Sequence, residues 1–205
     1  MKELVAKYNI VPTGILHVGA HECEEFNAYV MAGTNYKNIF WVEAMQTKVD
    51  KMKKKYGDKL NMYQAVIDVE DGKEVSFKIT SNGESSSILD FGTHSTHHPH
   101  VTVTETQTLT TSRLDTVISA NSIPMNTIDF LNFDIQGVEL RALKSMEKHL
   151  HNIKYIYTEV NTEQVYKDCA QLDEIDTFLK SHGFDRVETR IYKQFGWGDA
   201  LYMRS

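Results

Sequence analysis

Residues 15–25, ILHVGAHECEE, constrain the fold more than any other part of this chain. An apolar run of strand character enters a glycine, and a charged, helix-like segment follows at once. A strand that feeds a helix through so short a turn belongs to an open α/β sheet. The turn at the carboxyl end of such a strand is where nucleotide-type cofactors sit.

The same rhythm continues along the chain. Residues 15–18, 38–43, 60–67, 128–135 and 153–160 read as buried strands. Residues 22–32, 46–56, 114–119, 138–150 and 172–182 read as helices, with Gly33, Gly57 and Gly183 as stop signals. Thr111 or Ser112 is the expected cap of the helix over 114–119. Residues 75–79 are expected to pair with the strand over 60–67 after a turn at Asp71-Gly72. Residues 101–111 alternate β-branched and polar side chains, as a half-exposed strand does. Residues 184–189 and 199–203 form two last strands, joined by a connection too short for a helical crossover, so they should pair antiparallel. The expected fold class is therefore α/β. It is a Rossmann-like, mainly parallel seven-stranded sheet with an antiparallel C-terminal hairpin and helices on both faces, the layout of class I methyltransferases. Residues 1–205 read as a single domain. Residues 81–100 lack periodicity, and a loop that long inside a compact domain points to an active-site element.

Bulk properties narrow the partners. The 205 residues are 41% hydrophobic, enough for a packed core, and carry 22 basic against 28 acidic residues, a net charge of −6. That balance disfavours a nucleic-acid backbone as partner. The lysines from Lys48 to Lys55 fall on an amphipathic helical pattern and read as a solvated face. Two cysteines, Cys23 and Cys169, make neither a disulfide framework nor a zinc motif, which suits a reducing compartment. The N-terminal MKELVAKYN lacks the apolar core of a signal peptide, and no apolar run reaches membrane-spanning length. The expectation is a cytoplasmic protein without a membrane partner. The sequence leaves its oligomeric state open.

The turn after the first strand carries the first chemical signal. A dinucleotide site places glycines at G-x-G-x-x-G so that a pyrophosphate and the helix approach closely. Here Gly19 is followed by Ala20, His21, Glu22 and Cys23. Glu22, Glu24 and Glu25 suit a helix dipole but would repel a pyrophosphate. S-adenosylmethionine has no phosphate, its ammonium tolerates carboxylates, and its carboxylate can accept backbone N–H groups, so the local charge favours it over NAD or FAD. The bland alternative is a tight turn with a solvated acidic end. Glu43, closing the strand FWVEA, can accept two ribose hydroxyls. Ala65 and Val66 near the end of the third strand can flank an adenine, whereas Asp68 more simply caps a turn.

A second block, FLNFDIQGVE, puts Asp134 at a strand end with Gln136 and Glu139 close behind. Asp134 can orient a substrate, share a metal or take a hydroxyl proton, while Gln136 and Glu139 could serve as helix caps instead. Glu159 ends the next strand, beside Asp134. Two neighbouring carboxylates raise one pKa or share a divalent ion, although no recognised metal motif is present. The 81–100 segment adds His94, His97, His98 and His100, read as part of a mobile cover rather than a zinc site, and Ser85, Ser86 and Ser87 as hydrogen-bonding groups for an acceptor.

Together, HVGAHECEE, WVEA, the SSSIL run, LNFDIQGVEL, YTEV and the closing GDALYM resemble the FkbM-type methyltransferases, which use S-adenosylmethionine and mostly methylate hydroxyl oxygens. The resemblance covers nearly the whole chain. It implies that Gly19, Ala20, His21 and Glu22 hold the methionine end of the cofactor, that Glu43 and Ala44 lie at the ribose, and that Asp134 stands beside the sulfonium. Many relatives carry Asp where this chain has His17, and Gly where it has Cys23, so the cofactor contacts there should differ.

The expected function is S-adenosylmethionine-dependent O-methyl transfer to a sugar or another small polar molecule. Asp134 is the first candidate for the base, with His97 and His94 next, and Ser86, Ser87, Gln136 and Glu159 are candidates for the acceptor side. The alternatives are an NAD(P)-dependent reductase, which shares Glu43 and the first strand-turn-helix, and an inactive nucleoside-binding module on the same fold.

Overall fold

The computed structural model describes residues 6–205; residues 1–5, the start of the stretch read for a signal peptide, lie outside the described residues. In chain order the elements are β1 (Ile15–Val18), α1 (Phe26–Met31), β2 (Ile39–Glu43), α2 (Gln46–Tyr56), β3 (Asn61–Gln64), β4 (Val66–Ile67) and β5 (Glu74–Thr80). There follow α3 (His94–His97), β6 (Val103–Ser112), α4 (Leu114–Ala120), β7 (Phe130–Phe133) and α5 (Glu139–Ser145). The chain ends with β8 (Tyr155–Asn161), α6 (Leu172–Ser181), β9 (Phe184–Tyr192) and β10 (Trp197–Arg204).

Seven strands form one sheet in the order β3-β2-β1-β7-β8-β10-β9. The first five are parallel neighbours, and β10 runs antiparallel to both β8 and β9. This is the expected class I methyltransferase sheet with its reversed terminal hairpin. The chain builds outward from β1 to β3 and then returns to β7 on the other side of β1. A ligand crevice opens at such a switch point, outside the carboxyl ends of the strands.

Alternation along each strand feeds two cores. Leu16, Val18, Phe40, Val42, Leu131, Phe133 and Ile156 pack on one face, where α4 contributes Leu114, Val117 and Ile118, α5 Leu140 and Leu143, and α6 Ile175 and Leu179. Ile15, Ile39, Trp41, Met62 and Phe130 point to the other face, where α1 brings Phe26 and Tyr29 and α2 brings Val49 and Met52. Helices thus cover both faces, as parallel sheets require.

Several local expectations are corrected. The helix expected over 22–32 begins only at Phe26. His21 and Cys23 sit at φ of 43° and 56°, and the N–H groups of His21 and Glu22 are taken by the Glu43 and Glu24 carboxylates, so the segment is a series of turns. The strand expected over 60–67 splits. The Ala65 N–H bonds the Glu43 carbonyl, and the next residues leave the main sheet to pair with β6. Accordingly β5 pairs antiparallel with β6 rather than with the third strand, in a separate three-stranded sheet ordered β4-β6-β5. The cap of α4 is neither Thr111 nor Ser112: the Leu114 N–H donates to Ser145 Oγ, 31 residues away, at 2.9 Å. The helix expected over 138–150 ends at Ser145 and continues as 3-10 turns. No helix among the described residues is long and apolar enough to cross a membrane.

Candidate active site

The carboxyl ends of β1, β2, β7 and β8 border a cavity of about 510 Å³, closed on its far side by the loop between β5 and β6. That volume suits a small-molecule ligand. Its rim is set by the turn after β1. The N–H groups of Gly19 and Ala20 both donate to the Val42 carbonyl, at 2.9 and 3.0 Å. Gly19 sits at φ +91°, and a Cβ there would lie 1.8 Å from the Asp134 carbonyl oxygen. Only glycine lets the β1 turn lie against the β7 turn.

Glu43 ties the neighbouring loops together. One carboxylate oxygen accepts the His21 N–H at 2.8 Å and the other the Met45 N–H at 2.9 Å. Burial pushes its carboxyl up, although these backbone donors favour the charged form. Each oxygen keeps a lone pair for a further donor. The apolar floor beyond it includes Ala44, Ala65, Val66 and Ile67.

At the ends of β7 and β8 four polar groups form one network. Gln136 donates its side-chain amide to Asp134 Oδ1 at 2.6 Å and to Glu159 Oε2 at 2.9 Å. The Tyr166 hydroxyl donates to Gln136 Oε1 at 2.6 Å. Glu159 is buried, so desolvation and the adjacent Asp134 carboxylate push its carboxyl well above the usual range. Asp134 is reachable from the cavity, yet protein crowds its other sides, and that desolvation raises its carboxyl as well. Two carboxyl groups so placed hold a proton between them more readily than either would alone. Glu139 plays a different part. Its Oε1 accepts the N–H groups of Ile135 at 2.9 Å and Gly137 at 3.2 Å, which caps the turn.

The loop from β5 to β6 is fastened at several points. Ser87 Oγ donates to the Gln136 carbonyl at 2.9 Å, Ser86 Oγ accepts the Thr80 N–H at 3.1 Å, and Lys48 Nζ donates to the Gly83 carbonyl at 2.6 Å. His94 stacks on Phe91 with ring centroids 4.2 Å apart and lies beside Tyr166. Burial depresses the His94 imidazole to about 4, so it is neutral near pH 7. His17 is also neutral: desolvation lowers it to about 3, with its ring against Trp41 at 4.8 Å and Nδ1 3.1 Å from the Tyr29 hydroxyl.

Most of the expected site residues meet here: His17, Gly19, His21, Glu43, Ala44, Ala65, Val66, Ser86, Ser87, His94, Asp134, Gln136 and Glu159 border one cavity. Three do not. Ala20 is buried in the core on the α1 side, Glu22 pairs with Lys51 on the surface, and His97 turns toward Glu163 at 3.5 Å. The Gly19 and Ala20 N–H groups are already bonded to Val42, so they do not offer themselves to a ligand carboxylate. Sequence reasoning missed Tyr166 and Lys48, and read Glu24 and Glu25 only as helix-end charges; all four border the cavity. Tyr166 lies in the connection from β8 to α6, thirty residues from its partner, where periodicity carries no signal. Among the described residues no group of three or more His, Cys, Asp or Glu side chains is arranged to hold a metal ion.

The sequence profile of the Methyltransferase FkbM domain matches residues 17–186. The chain belongs to the FkbM methyltransferase family. Solved structures agree on the fold. The magnesium protoporphyrin IX methyltransferase of Synechocystis PCC 6803 with bound SAM is 10% identical, superposes with a TM-score of 0.54, and is matched over 100% of this chain and 76% of its own length. A protein of the NADB-Rossmann superfamily from Streptococcus agalactiae gives 12% identity and a TM-score of 0.53, over 100% of this chain and 67% of that one. The precorrin-6y C5,15-methyltransferase of Geobacter metallireducens GS-15 gives 8% identity and a TM-score of 0.50, over 100% and 87%. No curated protein matches the chain.

Proposed function

We propose that this FkbM-family chain is an S-adenosylmethionine-dependent O-methyltransferase acting on a hydroxyl of a sugar or another small polar molecule. The carrying observation is the Asp134–Gln136–Glu159 network, which borders the same cavity as Glu43 and the Gly19 turn. The cavity fits the cofactor by charge. Glu24, Glu25, Glu43, Glu84 and the proton-sharing Asp134–Glu159 pair border it against a single lysine, and Lys48 is already bonded to the loop. That surface suits a cationic ligand and disfavours a pyrophosphate or a nucleic-acid backbone. Glu43 would hold the ribose hydroxyls, and the Ala65–Val66 floor the adenine face.

S-adenosylmethionine, when bound, supplies a methyl group on a positively charged sulfur. The protein's part is alignment, exclusion of water and removal of the hydroxyl proton. Asp134 is the base: its raised pKa brings it closer to the working pH than an ordinary aspartate. Gln136 holds Asp134 and Glu159 in register, and Tyr166 holds Gln136. His94, neutral in the cavity wall, is the second acceptor for that proton, and Ser86 and Ser87 shape the acceptor side.

Incubation with methyl-labelled S-adenosylmethionine and a panel of glycans and small polyols tests the reading. Label transferred to an ether oxygen, lost on Asp134→Asn with cofactor binding retained, is the expected result. NAD(P)H binding without response to S-adenosylhomocysteine refutes it in favour of the reductase.

A further inference from the structure

Glu25 differs from the other carboxylates of the cavity, which are engaged or in water. Glu43 accepts the His21 and Met45 N–H groups, and Asp134 and Glu159 share the Gln136 amide. Glu24 Oε1 lies 2.5 Å from His21 Nδ1, its Oε2 accepts the Glu22 N–H at 3.2 Å, and Glu84 is exposed on the loop. Glu25 borders the same cavity, and its side chain is only 35% exposed. It precedes α1 but makes no cap bond to it, and the one donor that reaches its carboxylate is its own backbone N–H. Burial, together with the nearby Glu24 and Asp134 charges, pushes its carboxyl up.

Among the described residues the one basic side chain within ion-pair reach of Glu25 is His17, whose Nδ1 lies 3.9 Å from Oε2. That nitrogen carries no proton to share. Asn132 Nδ2 donates to the Tyr29 hydroxyl at 2.7 Å, which turns the Tyr29 hydrogen toward His17 Nδ1 at 3.1 Å. Nδ1 is therefore an acceptor, the ring is neutral, and Glu25 faces a lone pair. A mostly buried carboxylate without a partner carries a desolvation cost that a cationic ligand offsets.

The position suits one end of the ligand. β1 lies between β2 and β7, so the strand ends that carry Glu43 and Asp134 are two strand spacings apart, roughly 10 Å. A nucleoside with its ribose on Glu43 and its sulfur near Asp134 crosses β1, and its amino-acid end meets the wall of His17 and Glu25. That end is a zwitterion. The Gly19 and Ala20 N–H groups are spent on Val42, and among the described residues no arginine borders the cavity, so its carboxylate finds no strong anchor in the turn. Its ammonium finds Glu25. For a cavity that takes S-adenosylmethionine, as proposed above, we infer that the Glu25 carboxylate binds the α-ammonium group of the cofactor's methionine end. His17 leaves that carboxylate free by presenting a lone pair instead of an N–H. Together they favour a nucleoside thioether that bears an amine over one that lacks it.

Calorimetric titration of the full chain near pH 7 tests this with S-adenosylhomocysteine and its deamino analogue, which keeps the thioether and the carboxylate. The wild type should bind the amine-bearing ligand about 10- to 150-fold more tightly, the worth of one charge-assisted hydrogen bond. Glu25→Gln, with an unchanged circular dichroism spectrum, should bind the two ligands within about threefold of each other. Glu25→Asp withdraws the charge by one methylene and should keep part of the preference, whereas Glu24→Gln should keep all of it. A preference that survives Glu25→Gln, one lost in Glu24→Gln instead, or equal binding of both ligands by the wild type overturns the inference and leaves the cofactor assignment standing. A wild type that binds neither ligand overturns both. If Glu25→Gln misfolds, Glu25→Asp decides, and an undiminished preference there overturns the inference.

Discussion

Gly19→Ala separates two costs that a tight turn combines. The added methyl would lie 1.8 Å from the Asp134 carbonyl oxygen, where real Cβ atoms stay beyond 3.0 Å, so one turn must retreat by more than an ångström. The φ of +91° adds strain of its own. A left-handed conformation costs an L-residue about 1–2 kcal/mol. Forcing atoms into a packed contact costs about 1–3 kcal/mol more. The sum, about 2–5 kcal/mol, lowers Tm by roughly 4–20 °C for a chain of this size. Gly72 is the internal control: its φ is +77°, but a Cβ there meets nothing within 4 Å. Gly72→Ala should therefore carry the backbone strain alone, roughly 2–8 °C. Thermal unfolding followed by circular dichroism reads both. The displaced β7 turn carries Asp134, so Gly19→Ala should also weaken S-adenosylhomocysteine binding by calorimetry, while Gly72→Ala should not. Equal losses of Tm for the two variants would show that the close approach of the β1 and β7 turns contributes nothing, and the account of the site's rim would fail.

Glu43→Gln keeps the shape but removes the charge and one acceptor, so either the His21 or the Met45 N–H loses its partner; cofactor affinity should fall by about 1–3 kcal/mol, roughly 5- to 150-fold in a calorimetric titration. Tyr166→Phe strands Gln136 Oε1, which should cost about 1–3 kcal/mol in urea unfolding and lower kcat through a less fixed Asp134. Glu159 titrates above its unfolded value, so the folded chain binds more protons in the window between the two, and its contribution is present at low pH and lost as pH rises above the ordinary carboxylate range. His17 and His94 act with the opposite sign below about pH 6.5, because the unfolded chain protonates them first. The comparison of wild type with Glu159→Gln isolates the carboxyl: from pH 5 to 8 the variant should gain stability relative to wild type, and a constant difference would refute the raised pKa.

Much of the fold was legible because its signals are local. Periodicity located β1, β2, α2 and the closing hairpin, and α2 runs over the 46–56 segment that the pattern and Gly57 define. Glu43, Asp134 and Glu159 were legible as carboxylates at the ends of apolar strands, since in a parallel sheet every strand end points to the same crevice. The remainder depends on distant parts of the chain. Ser145 caps α4 across 31 residues, the 60–67 run divides because β6 draws its second half away, and the helix start at residue 22 gives way to turns once Glu43 claims the His21 N–H. The same holds for residues 15–25. ILHVGAHECEE by itself dictates a strand, a glycine turn and an acidic end. That Gly19 and Ala20 spend their N–H groups on Val42, and that Tyr166 completes the Asp134–Gln136–Glu159 network, was decided by tertiary contact alone. A hydrogen bond fixes a geometry between two groups, and when those groups lie far apart in sequence no local pattern records it.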